Sequence, residues 1–117
     1  MKRGDIVLVR IPFVDGGSKR RPALIVQDDR NNRRLETTIV AASTSNLRNV
    51  SQPTQLQIDP STPEGQGSGL LLASAVKCEN HFTVSVSAIQ PIGSLDPVSM
   101  ARVDDCLKVS LGLSGRK

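Results

Sequence analysis

The stretch that most restricts the fold is Lys19–Gln27, where a basic loop end runs without a spacer into an apolar strand. Pro22 fixes its own φ at about −65° and pushes Arg21 into an extended conformation, so Arg21 leaves the loop at a defined place. Ala23-Leu24-Ile25-Val26 is a short apolar run ending in two β-branched residues, the pattern of a strand packed on both faces. A guanidinium tied to such an element is suited to a phosphate, because its planar fork of donors stays charged at any physiological pH. The plainer use of the same charge is to solubilise a hairpin loop.

The remaining runs are of the same kind. Gly4–Val9 predicts a central strand buried on both sides, followed by a glycine-containing hairpin loop over 11–20 and a strand over Pro22–Gln27. Asp28–Arg34 is expected to be a charged turn. Leu35–Ser43 predicts a third strand, and Gln52–Asp59 a half-exposed one with Leu56 and Ile58 inward and Gln55 and Gln57 outward. Asp59–Gly69, rich in Gly and Pro, predicts a mobile loop. Leu70–Glu79 predicts a strand that puts Lys77 and Glu79 on one face, and separate strands are expected around Thr83–Ser87 and Ala88–Gly93. One helix closes the chain: Asp96 caps it, Pro97 opens it, Met100, Val103, Leu107 and Leu111 recur at helical spacing, and Gly112 ends it. The sum is a single domain over 1–117, mainly β, a small, strongly bent antiparallel barrel of about six or seven strands with a C-terminal helix.

Charge divides unevenly along the chain. Residues 1–48 carry ten Lys or Arg against five acids, and residues 49–117 carry five against six. A basic face from the first part predicts a polyanionic partner. With no Trp, no Tyr and only Phe13 and Phe82, the chain lacks the aromatic platforms of a passive base-stacking module. Cys78 and Cys106 are expected to be reduced, partly buried thiols. Cys78 and His81 have a spacing found in metal sites but no companion pair, so neither metal nor cofactor is expected. There is no apolar signal core and no run of about 20 apolar residues to cross a bilayer, so the cytoplasm is the expected compartment.

Arg21, Thr44 and the pair Lys77 and Glu79 can form one site if the fold brings them together. RNA cleavage without a metal needs a base for the ribose 2′-OH, a positive partner for the phosphorane oxygens and a proton for the leaving 5′-oxygen. Arg21 suits the second task, Thr44 can hold a phosphate oxygen or orient the 2′-OH, Glu79 can act as the base, and Lys77 can protonate the leaving group or bind phosphate. Lys19, Arg20, Gln27, Ser45 and Asn46 are candidates to bind the strand. Lys77 with Glu79 also reads as a plain surface ion pair.

Gly4–Val9, Arg21–Gln27, Val40–Ser45 and Ile92–Leu95 resemble, in order and spacing, the MazF/PemK (Kid) toxins of bacterial toxin–antitoxin modules. The resemblance implies an SH3-like barrel acting as a homodimer, a ribosome- and metal-independent endoribonuclease on single-stranded RNA, and a cognate antitoxin that blocks it, expected to be an acidic, partly disordered segment. It places Arg21 on the family's functional Arg before Pro and Thr44 on its functional Thr. Val76-Lys77-Cys78-Glu79 is similar to the Kid-type stretch whose Arg and Asp serve catalysis, with both replaced by residues of the same charge. Lys is no equivalent of Arg at a bidentate site, which leaves acid and base unassigned. The first loop holds no His to assist. Two rival readings use the same fold: a non-enzymatic interaction toxin of the gyrase-poisoning type, and a degenerate member that binds antitoxin without cleaving.

Overall fold

The computed structural model describes residues 1–12 and 16–113. Six strands form one antiparallel sheet in the order β4-β5-β3-β2-β1-β6. They are β1 Asp5–Pro12, β2 Ser18–Ile25, β3 Thr37–Thr44, β4 Gln55–Ile58, β5 Ser74–Ser85 and β6 Gln90–Ser94. Two helices join them, α1 Asp29–Arg34 and α2 Pro97–Ser110. The sheet is curled, and each face has its own core. Ile6, Leu24, Ala41, Val76 and Cys78 pack beneath α2 against Val103 and Cys106. Val7, Val9, Ala23, Ile25, Val40 and Ala42 form the second cluster on the other face. The unbroken apolar runs of β1, β2 and β3 follow from this, since a strand covered on both sides has no wet face to alternate with.

Several elements differ from expectation. β1 has a partner on each side but stands next to the edge strand β6, so β2 and β3 hold the centre. β2 begins at Ser18, because it pairs with β1 from Pro12↔Ser18 through Ile6↔Leu24; Lys19, Arg20 and Arg21 are strand residues, not a loop end. Phe13-Val14-Asp15, part of the expected hairpin loop, lies outside the described residues. Asp28–Arg34 is a capped helix instead of a turn: the Asp28 carboxylate accepts from Arg30 N at 3.0 Å, Asp29 lies in the first turn and Arg33 and Arg34 in the last. That arrangement complements the helix dipole, while the helix buries no residue and so carries no apolar signature. Arg3 fastens it, donating its backbone N–H to Asp29, its Nε to the Val26 carbonyl and its Nη2 to Asp104 of α2.

The expected strands over Leu70–Glu79 and Thr83–Ser87 are one, β5, twelve residues long. It bends where Ala41 pairs with His81 but Ser43 pairs with Val76, so Lys77–Asn80 pass a single residue of β3. His81 Nε2 meets the Cys78 carbonyl across this bend. The Gly-rich loop is also more ordered than its composition suggests: Pro63–Ser68 is a 3₁₀ helix capped by Thr62, and Gly65 and Ser68 are buried in it. In α2 the Asp96 carboxylate accepts from Ser99 N at 2.8 Å as expected, but Cys106 takes the core position expected of Leu111, which is exposed.

Candidate active site

Pro22 shapes the site before any side chain does. The β2–β3 ladder runs Ile25↔Val40, Leu24↔Ala41 and Ala23↔Ala42, and stops there. Beyond it Pro22 has no N–H to give, and its carbonyl accepts from the Ser43 hydroxyl at 2.8 Å. The pairing of β2 with β3 therefore ends at Ala23 and Ala42, while β2 extends back to Ser18 along β1. Two residues beyond the last pair stand Arg21 on β2 and Thr44 on β3. Both line a cleft of about 430 Å3, together with Ser45, Ser43 and Ser74 and an apolar wall that includes Leu8, Leu70 and Ile92. Leu71 and Leu72 stand at its mouth, 95% and 64% exposed.

Thr44 serves its own loop as well as the cleft. Its Oγ1 accepts from Asn46 N at 3.1 Å, and Asn46 Oδ1 accepts in turn from Arg48 N at 3.0 Å, so two consecutive side-chain turns fix the exit from β3. The Thr44 hydroxyl proton is thereby left to donate elsewhere.

Lys77 and Glu79 do not line this cleft. They lie beside it: Thr44 pairs with Ala75, which pairs with Gln57 on β4, and one step on, Lys77 pairs with Gln55. Side chains along such rows share a face, so Arg21, Thr44, Lys77 and Gln55 face the same way. Glu79 Oε2 accepts from Gln55 Nε2 at 2.8 Å. The ion pair allowed by the spacing of Lys77 and Glu79 does not form.

The other expected residues divide. Ser45 and Asn46 are exposed beside Thr44, and Lys19 and Arg20 are exposed along β2. Arg20 stands opposite Arg10 and donates from Nη2 to Gln90 Oε1 at 2.8 Å. Two like charges placed face to face are unfavourable alone, and they give the sheet a cationic stripe. Gln27 does not belong to the site. It is buried, and its amide nitrogen donates to Asn32 Oδ1 and the Thr37 carbonyl while its backbone carbonyl accepts from Asn32, which ties α1 to β3. It also lies six residues along the chain from Arg21, about 20 Å in extended backbone.

Sequence reasoning passed over Arg10, Gln55 and the cleft wall Leu70–Leu72. The Arg10 signal was present in its pairing register with the basic strand, but the wall came from a segment read only as the start of a strand. Cys78 and Cys106 are free and buried, and burial pushes the Cys78 thiol up to about 12. Among the described residues no three His, Cys, Asp or Glu side chains gather as a metal set, and no helix is long and apolar enough to cross a membrane.

Fold and cleft together define a single curled β-sheet protein with an arginine and a hydroxyl from its two central strands lining one cleft. Residues 2–111 match the family described as PemK-like, MazF-like toxin of type II toxin-antitoxin system, and the chain belongs to that family. It is 34% identical over 116 residues to "Probable endoribonuclease MazF" of Mycolicibacterium smegmatis, covering 98% of this chain and 100% of that one. It is 30% identical to "Endoribonuclease EndoA" of Bacillus subtilis, covering 97% and 96%. Among solved structures it superposes on an endoribonuclease in complex with its cognate antitoxin from Mycobacterial species, with a TM-score of 0.79, 22% identity and 99% of both chains covered. A MazE–MazF complex from Deinococcus radiodurans gives 0.74 at 18% identity, covering 97% of this chain and 98% of that one. These two establish the shared fold.

Proposed function

We propose that this protein is the toxin of a toxin–antitoxin pair and a metal-independent, sequence-specific endoribonuclease that cleaves single-stranded RNA, mRNA included, by attack of the 2′-OH. The observation that carries this reading is that Arg21 of β2 and Thr44 of β3 line one cleft, just beyond the last paired residues of the two strands. The whole-length likeness to two proteins named endoribonucleases supports the same reaction class.

In the reaction Glu79 takes the 2′-OH proton, the 2′-oxygen bonds to the adjacent phosphorus, and the P–O5′ bond breaks as Lys77 gives a proton to the leaving oxygen. The products are a 2′,3′-cyclic phosphate and a 5′-hydroxyl. Arg21 holds the phosphorane oxygens as charge builds on them, which is where a preorganised cation contributes most. Thr44 donates its hydroxyl to a phosphate oxygen. Lys19 and Arg20 take flanking phosphates, and Ser45 and Asn46 read bases beside the cleft. The antitoxin is an acidic, partly disordered segment that folds over this surface and competes with RNA. The active form is a homodimer in the cytoplasm.

The test is incubation of the protein and Arg21→Ala with a long single-stranded RNA in excess EDTA, with the cut ends mapped. Discrete cuts ending in 2′,3′-cyclic phosphate, made by the parent alone, are expected. Intact RNA together with binding to a gyrase subunit or an antitoxin peptide would replace the nuclease by an interaction toxin.

A further inference from the structure

Gln55 stands out as a buried amide with half of its bonding unmet. It is 8% exposed, on the edge strand β4, where alternation with Leu56 predicts an outward residue. Its Nε2 donates to Glu79 Oε2 at 2.8 Å. The orientation of this amide is dictated by its partner, because turning it over would press two oxygens together at hydrogen-bond distance. Its Oε1 is then left buried, and among the described residues it is the one buried side-chain nitrogen or oxygen with no hydrogen-bond partner. An unmet buried acceptor costs stability, and a fold that retains one at a single place invites a reason at that place.

We infer that Gln55 is a positioning residue for Glu79, holding the carboxylate toward the substrate face and away from Lys77. The inference rests on the reading of Glu79 as the base. Lys77 is the cross-strand neighbour of Gln55 and lies two residues from Glu79, so a swing of either side chain would pair ammonium with carboxylate. That pair would tie up both the proton acceptor and the proton donor. A neutral amide orients the carboxylate without supplying an opposing charge, and it holds one of the two oxygens, Oε2, on the Gln55 side. The bend at Lys77–Asn80 makes such a brace necessary, because Glu79 sits where β5 has lost its regular pairing with β3.

The test compares Gln55→Met, Glu79→Gln and the double variant on a defined RNA, reading maximal rate, KM and Tm. Methionine keeps the length and volume of glutamine while removing both the donor and the orphaned acceptor; Gln55→Leu is the second replacement should methionine pack poorly. The expected result for Gln55→Met is a Tm unchanged or raised, a maximal rate down about tenfold or more, and a KM within about twofold. In the Glu79→Gln background the same change is expected to cost nothing further. Parental cleavage by Gln55→Met with impaired Glu79→Gln would overturn the positioning role and leave the nuclease reading standing. Losses that multiply in the double variant would also overturn it. Parental cleavage by Glu79→Gln would remove the base and the inference together.

Discussion

Ser43 donates its hydroxyl to the Pro22 carbonyl at 2.8 Å and so ties β2 to β3 next to Arg21 and Thr44. The bond lies one residue beyond the last paired residues, Ala23 and Ala42. Arg21 and Thr44 flank it, one on each strand.

Arg21→Ala is therefore expected to lower the rate of RNA cleavage by about 10²–10³ with little change in Tm, because the half-buried side chain lines the cleft and is not part of either core cluster. Arg21→Lys should recover only a small part, since an ammonium offers a point charge and no planar fork. Initial rates at saturating RNA and a thermal melt check both statements.

Thr44 separates hydroxyl from shape. Thr44→Val removes the group that accepts from Asn46 N and donates into the cleft, and cleavage is expected to fall about tenfold. Thr44→Ser keeps the oxygen and should retain most activity. Activity kept in Thr44→Val and lost in Thr44→Ser would mean that the methyl, and not the hydroxyl, matters.

The Gly-rich loop gives a test of the fold. Gly69 has φ +75°, and a Cβ there would lie 2.0 Å from the Ile92 carbonyl oxygen of β6. Gly69→Ala is expected to destabilise the protein by about 3 kcal/mol or more, measured by urea melts. Gly67→Ala is the control: the nearest atom to its Cβ is 3.7 Å away, and stability should barely change.

Stability should decline at both ends of the pH scale. Hydrogen bonds from Arg30, Arg3, Ser61 and Ser99 hold the carboxyls of Asp28, Asp29, Asp59 and Asp96 below their ordinary 3.8, so their contribution is present above that value and is lost as pH falls through the lower folded values. Burial raises the Cys78 thiol from 9.0 to about 12, so between those values the folded chain keeps a proton that the unfolded chain has lost, and stability falls as pH rises. Tm across pH 2–11 checks both limbs; Cys78→Ala should flatten the alkaline one at the cost of a lower plateau.

What was legible in the sequence is what local physics writes there. The β-branched runs of β1 to β3 and the Asp96-Pro97 start of α2 each state their structure within a few residues. The Arg-Pro junction marked a place inside a strand where an N–H is missing from the ladder. Other features depend on partners distant in sequence. The helix α1 buries nothing, so no periodicity announces it. Gln27 looked like a strand-end polar residue until Asn32 and Thr37 were found to enclose it. Gln55 alternates as an outward residue should and is nonetheless buried, because its long amide reaches Glu79 on β5.

The slip in β5 has a consequence for how this chain can change over generations. Between Val76 and His81 the strand spends five steps while β3 spends two, from Ser43 to Ala41. Phe82 and Val84 meet the second core only because that count is odd relative to a regular ladder. Adding or deleting one residue there would turn Phe82 and Val84 to solvent and draw Thr83 inward. The number of residues between Val76 and His81 is therefore a property of the fold, held apart from the identity of the side chains that the bulge carries.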